Sequence, residues 1–510
     1  MNMFDREISG ICPLCNRQVS GKVYRKNDKV YLDKVCPEHG TITDMLSSNA
    51  GLFADRMSML EHASPNRCSK EKCRNGIFNC RDHVGRKSPL AFIEITTRCN
   101  MRCPVCYIDA ESTGRDMPLA EIERIVDRIT EEDPNTHLIL IGGEPTIHKE
   151  FFKILAMIRQ KGLMKRTFIA TNGITLADKE FCKRVQDAGI KKFYLGFDGT
   201  DREACKKIRG SYIAYDSVRK ALENIRENGK AWIIISITAV KDLNVEDIPK
   251  VIEFAMANSD IVKRIMISPE VFCGRINEKE DLAAERLTGD CIETYLRDFL
   301  GVKVATVSIS LFFALLRPLK SMGLLAEDSW MTAAPSPFCG QMGLLWRPKG
   351  SKFRSVVDVF IKDADKQIYE IGRRVNRLAD SIEKARAGFG SGFPGRAGWF
   401  LSVYLYFLPK YFFMLAGRLN WKGVFGMLGA FVKAGFNTKT FKKEYFGEKI
   451  ELFYLLGSDK YNYIWDKMPY CLTHHYRLHP DTGEVIKVPG CFVVAFREEV
   501  ERRASVSEEV

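Results

Sequence analysis

From Leu90 to about Glu270 the chain alternates two apolar patterns. Short apolar runs predict six strands: LAFIEIT from Leu90, HLILIGG from His137, RTFIATNG from Arg166, KKFYLGFDG from Lys191, AWIIISITAV from Ala231 and KRIMISPEV from Lys263. Between them LAEIERIVDRIT, KEFFKILAMIRQKG, DKEFCKRVQDAG, YDSVRKALENIRENG and VEDIPKVIEFAMANS place apolar residues at helical spacing. Several of these end at Gly, as helices often do. Strand-plus-helix units in a row predict parallel pairing with right-handed crossovers. A partial (β/α)6 barrel and an open doubly wound sheet both fit, and both place chemistry at the strand C-terminal ends.

The pattern also divides the chain. Residues 1–60 form a small cysteine-rich unit, and residues 61–89 a second cysteine-bearing segment with little periodicity. Residues 90–275 carry the strand–helix alternation, and residues 276–346 read as a helical extension. Residues 347–446 are basic, aromatic and loop-rich, including GFGSGFPGRAG, and residues 447–510 read as a short α+β segment with two more cysteines. The expected fold class is α/β: the partial (β/α)6 barrel, with a small N-terminal metal-knuckle unit and a mixed, mainly helical C-terminal region. The longest uncharged runs, from Val304 to Leu316 and from Ala397 to Pro409, are short of the roughly 20 residues a spanning helix needs. No transmembrane helix is expected. MNMFDREISGICPLC has no basic stretch leading into an apolar one, so a reducing cytoplasmic compartment is expected.

The sharpest chemical signal is EITTRCNMRCPVCY, at the end of the first predicted barrel strand. Cys99, Cys103 and Cys106 on one tight loop can hold three irons of a [4Fe–4S] cube. The fourth iron is then open to the amino and carboxylate groups of S-adenosylmethionine, whose one-electron cleavage gives a radical able to attack unactivated C–H bonds. A zinc knuckle competes as a reading, but zinc wants a fourth ligand and none follows closely. The loop, with Tyr107 after its last cysteine, resembles the radical S-adenosylmethionine superfamily. Gly142-Gly143-Glu144-Pro145, ending the second strand, matches that family's GGEP motif. The resemblance implies contacts from this backbone and Glu144 to the methionine amino group. It also implies polar contacts to the cofactor from Asn172 and Asp198, at the third and fourth strand ends. Arg209 looks like the arginine that pairs with the methionine carboxylate. A one-electron reductant such as ferredoxin or flavodoxin is implied with them.

Other cysteines suggest further metal. Cys12 and Cys15, then Cys36 in CPEHG, read as a knuckle for one iron or zinc, its fourth ligand either the His39 imidazole or a sulfur from elsewhere in the chain. Cys68, Cys73 and Cys80 suggest an auxiliary [4Fe–4S] cluster, with Cys273, Cys339, Cys471 and Cys491 as possible completing ligands or buried apolar residues. Cys182, Cys205 and Cys291 fall in helical patterns and read as structural. His474 and His475 read as surface or active-site loop residues.

Composition adds location more than class. With 45% hydrophobic and 28% charged residues the chain is neither disordered nor collagen-like, and 16 cysteines in 510 residues do not make a disulfide scaffold. The net charge is +13, and residues 347–443 carry nineteen Lys and Arg against six acids, which accounts for all of it. Between Trp399 and Phe446, 15 of 48 residues are aromatic, against 11% overall. Bases with aromatics suit an anionic membrane surface or a lipid tunnel, a hydrophobic core, or single-stranded nucleic acid. Runs such as FLSVYLYFLPKYFFMLAG favour the first, and no nucleic-acid partner is expected.

The whole layout resembles the tetraether synthases and related enzymes that couple membrane-lipid tails carbon to carbon. Its N-terminal half equally resembles radical methylases first linked to dihydropterins. The expected activity is hydrogen abstraction from saturated lipid tails and C–C joining of two of them. The alternative is methylation of a pterin-like heterocycle or a lipid. The expected location is peripheral, at the inner membrane face, with membrane lipid as substrate.

Overall fold

The computed structural model describes residues 4, 6–60, 88–276, 282–324, 339–348, 351–389, 393–456, 458–463, 471, 473–479 and 482–497. Cys68, Cys73 and Cys80 lie outside them. Two compact units result. The first holds residues 1–48, 65–292 and 454–510, and the second holds 49–64 and 293–453.

The first unit opens with an antiparallel meander of four strands, β1 (Arg6–Ile11), β2 (Gln18–Lys26), β3 (Lys29–Cys36) and β4 (Gly40–Ser47). The six expected strands follow as β5 (Leu90–Thr96), β6 (His137–Gly142), β7 (Thr167–Thr171), β8 (Lys192–Gly196), β9 (Trp232–Ala239) and β10 (Val262–Pro269). They pair in parallel in sequence order. On the far side of β5 sits Thr473–Leu478, parallel to it, so the curved sheet stays open there as a partial barrel. Val485–Pro489 pairs outside that strand, antiparallel. No periodicity in the C-terminal segment announces that it joins the barrel edge.

Alternation sorts the strand residues into two faces. One face, with Ile93, Ile235 and Ile267, is fully buried beneath the crossover helices, such as Leu119–Glu132 and Ile248–Ala257. The other is concave and half-exposed along β5, β9 and β10. Its lower tier is apolar and aromatic: Phe92, Ile139, Phe168, Tyr194, Trp232 and Met266 pack together.

The four-stranded meander is locked into this unit by buried ions. Arg286 donates from Nε to Asp44 (2.8 Å) and from Nη1 and Nη2 to Asp459 (2.9 and 3.1 Å). Burial raises Asp44, whereas Asp459, which burial alone would raise, is held low by Arg286 and by backbone amides. Lys34 donates to the Lys460 carbonyl at 2.7 Å, and burial lowers its ammonium to about 8. Asp459 also accepts from the Phe272 amide at 2.8 Å, which fixes the segment leaving β10.

The second unit is mainly helical. The segment 347–446, expected to be loop-rich, holds Ala364–Ala387 (24 residues), a continuous helix through Pro394–Ala416 and Trp421–Lys433. Glycines and aromatics lower helix propensity, but an apolar stripe at i, i+4 spacing (Val403, Phe407, Tyr411) packs onto Val375 and Leu378 and outweighs that. Counting uncharged runs understates one helix. Pro394–Ala416 has 23 residues, mean hydropathy 1.3, and is long and apolar enough to cross a membrane by length and composition. Counting uncharged runs missed it because the helix continues through Lys410.

Candidate functional site

At the C-terminal end of β5 the chain leaves the sheet as the loop Thr97–Tyr107. Its first residues are fixed by Arg98, which donates to both Asp116 oxygens (3.0 and 2.8 Å) and to the Ile147 carbonyl (2.7 Å). Asp116 accepts from Thr96 as well and is held down at about 2, the bonds from Arg98 and Thr96 outweighing its partial burial. The cysteine loop and the turn after β6 are therefore tied together.

That turn is built by close approach. Gly142 has φ +146°, and a Cβ there would lie 2.0 Å from the Thr96 carbonyl oxygen. At Gly143 a Cβ would lie 2.1 Å from the Arg98 carbonyl oxygen. Two backbone bonds complete the join, Gly143 N to Thr96 O (2.9 Å) and Glu144 N to Arg98 O (2.8 Å). Pro145 opens the short helical turn Pro145–Ile147, with Glu144 as its cap. The Glu144 carboxylate is fully buried, which raises it, and it accepts from Thr146 Oγ1 (2.5 Å) and Asn172 N (2.8 Å). It braces the turn.

Cys99 and Cys103 are buried and Cys106 half-buried, all as free thiols on one loop. Burial pushes the Cys99 thiol up to about 12 and raises Cys103 too. Buried thiols on one loop, each disfavoured as a bare anion, fit a cationic iron–sulfur cluster, which reverses that penalty on binding. Asn172 donates to Asn100 on the loop at 2.8 Å. Asp198 accepts from the Thr238 amide (2.8 Å) and from Arg209 Nε, and Arg209 also reaches the Cys103 sulfur. Asn172, Asp198 and Arg209 thus gather beside the loop. Tyr107 is enclosed, its hydroxyl raised by burial, with the Arg497 guanidinium 5.9 Å from its ring.

Sequence reasoning missed the clamp on this loop. Arg275, just past β10, pairs backbone to backbone with Cys106 (2.8 and 2.9 Å). Its side chain donates to the Cys103 carbonyl (2.7 Å) and the Ala110 carbonyl (3.0 Å), and pairs with Asp109 at 2.6 Å. Gly274 (φ +62°) lets this segment close on the Cys106 and Tyr107 carbonyls. The available signal was its place after the sixth strand's end. Also missed was Glu94, on the concave face of β5. Against its burial it is held well below the usual carboxylate range by Arg497 (2.8 and 3.2 Å) and His475 (3.5 Å). His474 and His475 are buried strand residues rather than loop or surface ones: His474 bonds Ser88 at 2.6 Å and His475 stacks on Phe92.

A second donor set lies in the meander. The ligand atoms of Cys12, Cys15, Cys36 and His39 all fall within 4.8 Å of one another. His39 Nδ1 is 3.7 Å from the Cys12 sulfur and 3.5 Å from Cys36, whose thiol that contact lowers to about 6. The CPLC turn is closed by Asn16 N to Cys12 O (3.0 Å), with Asn16 at positive φ. Three sulfurs and one imidazole fit tetrahedral zinc or iron, with His39 supplying the fourth ligand. Cys36→Ser should release this metal while leaving the cluster iron in place, measured by metal analysis of the purified chain. Loss of both together would contradict separate sites.

Of the other cysteines, Cys182, Cys205 and Cys291 bond Gln186, Gly199 O and Ser48 as packed residues. Cys273 is buried beside Gly274. Cys471 donates to Thr473 O at 2.9 Å, and it and Cys491 lie near the buried Tyr463, whose hydroxyl is raised by burial and then by them. Cys339, in the second unit, precedes Gly340–Arg347.

Comparison with known proteins gives the same two parts. Residues 93–255 match the Radical SAM superfamily and residues 4–48 the HMPTM N-terminal zinc ribbon domain. A 7,8-dihydro-6-hydroxymethylpterin dimethyltransferase of Methanocaldococcus jannaschii is 28% identical over 393 residues, 72% of this chain and 74% of that one. The Fe-coproporphyrin III synthase of Methanosarcina barkeri is 31% identical over 212 residues, 40% of this chain and about half (51%) of that one. Among solved structures, Streptococcus suis SuiB bound to S-adenosylmethionine is 19% identical, TM-score 0.33, covering 42% of this chain and 48% of that one. A radical SAM methyltransferase from Sphaerobacter thermophilus is 10% identical, TM-score 0.31, covering 56% and 74%.

Proposed function

We propose that this chain, a radical S-adenosylmethionine superfamily enzyme by its residues 93–255, is a radical methylase that alkylates an unactivated carbon of a substrate held on the concave face of β5–β10. Two observations support methylation: this chain has a zinc-ribbon match at residues 4–48 ahead of its radical domain at 93–255, and a pterin dimethyltransferase is 28% identical to it along 72% of its length. With the [4Fe–4S] cluster and S-adenosylmethionine bound, the cofactors supply hydrogen abstraction from such a carbon. Cys99, Cys103 and Cys106 would hold the cluster, and Arg275 fixes the loop that bears them. The backbone of Gly142, Gly143 and Glu144 would take the methionine amino group. Arg209, oriented by Asp198, would pair with the methionine carboxylate, and Asn172 and Tyr107 would supply further contacts to the cofactor. Below them the apolar and aromatic tier would receive the substrate.

A second reading, joining of lipid tails, is favoured by that same tier. Phe92, Ile139, Phe168 and Met266 form an apolar patch that suits an alkyl chain, with the Tyr194 hydroxyl and the cations of Lys192 and Arg264 at its border. Anaerobic turnover with methyl-labelled S-adenosylmethionine separates the two, using a hydroxymethyl-dihydropterin and a phospholipid in parallel. Methylation predicts label in one product. Cross-linked tails without label would replace it with the second reading, and deoxyadenosine unchanged by either substrate would exclude both.

A further inference from the structure

The helices at 394–433 present a surface that neither reaction uses. Pro394–Ala416 keeps one stripe inside its own unit: Val403, Phe407 and Tyr411 are buried, and the Tyr411 hydroxyl donates to the Leu315 carbonyl at 2.8 Å. The opposite side faces outward. Leu405 is 75% exposed and Phe413 78%, with Phe400 and Phe412 beside them. Trp421–Lys433 buries none of its residues and exposes Trp421, Phe425 and Val432. Scattered exposed apolar residues are ordinary, but contiguous large ones mark an interaction surface.

The charge on the segment identifies the partner. Between Lys384 and Lys443 there are ten Lys and Arg and no acid. Lys410, Lys422 and Lys433 stand exposed among the aromatics. Apolar and aromatic side chains flanked by cations match the interface of an anionic bilayer, where rings enter the acyl boundary and ammonium groups reach phosphates. A second copy of this surface would bring Arg396, Lys410, Lys422 and Lys433 against like charges, with no acid on either helix to pair them, which opposes self-association.

We propose that Pro394–Ala416 and Trp421–Lys433 lie in the plane of an anionic membrane leaflet as a monotopic anchor. The buried stripe decides between lying and spanning. A spanning helix needs lipid-compatible surroundings on all sides, and this one commits Val403, Phe407 and Tyr411 to protein. The inference is independent of whether the enzyme methylates or couples.

The test is vesicle flotation of the full-length chain, purified with its cluster. It should float with phosphatidylglycerol vesicles and at least tenfold less with pure phosphatidylcholine, and 1 M salt should weaken it. The triple variant Leu405→Ser, Phe412→Ser, Phe413→Ser should lose flotation at least tenfold with helix content unchanged. A second variant, Lys422→Glu with Lys433→Glu, leaves the apolar contacts intact and should also lose it. Alkaline carbonate should release the bound chain. Failure of the wild type to float overturns the proposal, as does retention after carbonate, which indicates a spanning helix. A stable dimer that the triple variant dissociates while flotation persists also overturns it, assigning the surface to a second copy.

Discussion

Replacing Cys103 by Ala should leave a folded protein that has lost its [4Fe–4S] cluster and essentially all turnover. Three cysteines stand on one loop anchored at both ends, and three irons need three thiolates. Cys103 is held at two points: Arg275 donates to its carbonyl and Arg209 reaches its sulfur. The alanine removes little volume, so stability should change by no more than about 1–2 kcal/mol. The check is the charge-transfer absorbance near the visible range and iron counting after anaerobic reconstitution, beside a circular dichroism spectrum. Retention of the cluster at wild-type levels would falsify the ligand assignment.

Arg286→Met should cost far more stability than any surface change, about 3–5 kcal/mol. The guanidinium is buried between two buried carboxylates, and removing it leaves Asp44 and Asp459 without their counter-charge. The penalty reaches two parts of the first unit at once. Asp44 belongs to β4, and Asp459 holds the Phe272 amide, three residues before the Arg275 clamp. Chemical denaturation should show the loss, and cluster occupancy should fall with it at temperatures where the protein is still folded. A variant as stable as wild type would mean that the ion cluster is replaceable by packing. The double variant with Asp459→Asn should recover part of the loss, because one of the orphaned charges is gone.

The six barrel strands were legible because both of their signals agree: apolar runs too short for helices, and amphipathic helices between them that end at Gly. The cysteine loop and the Gly142–Pro145 turn were legible because their chemistry is local in sequence. The clamp was not. Arg275 lies far from Cys103 along the chain, and only the parallel order of β5 and β10 in one open barrel brings the two strand ends together. The same holds for Arg497 on Glu94, and for His474 and His475, whose burial follows from an edge strand at β5 that no periodicity announced. Residues 394–416 were misread for another reason. Charged Lys410 interrupts the apolar run in sequence, but in a helix it occupies one side of one turn, and its neighbours keep both the buried stripe and the outward apolar face. His39 was a possible fourth ligand in sequence, and the β3–β4 turn places its ring against two of the sulfurs.

The most direct test of the central claim is anaerobic incubation of the reconstituted enzyme with S-adenosylmethionine and a one-electron reductant, followed by quantification of 5′-deoxyadenosine. The account predicts product that requires reductant, appears in the wild type and vanishes in Cys103→Ala. A cluster-loaded wild type that forms no deoxyadenosine above the reductant-free control would contradict it.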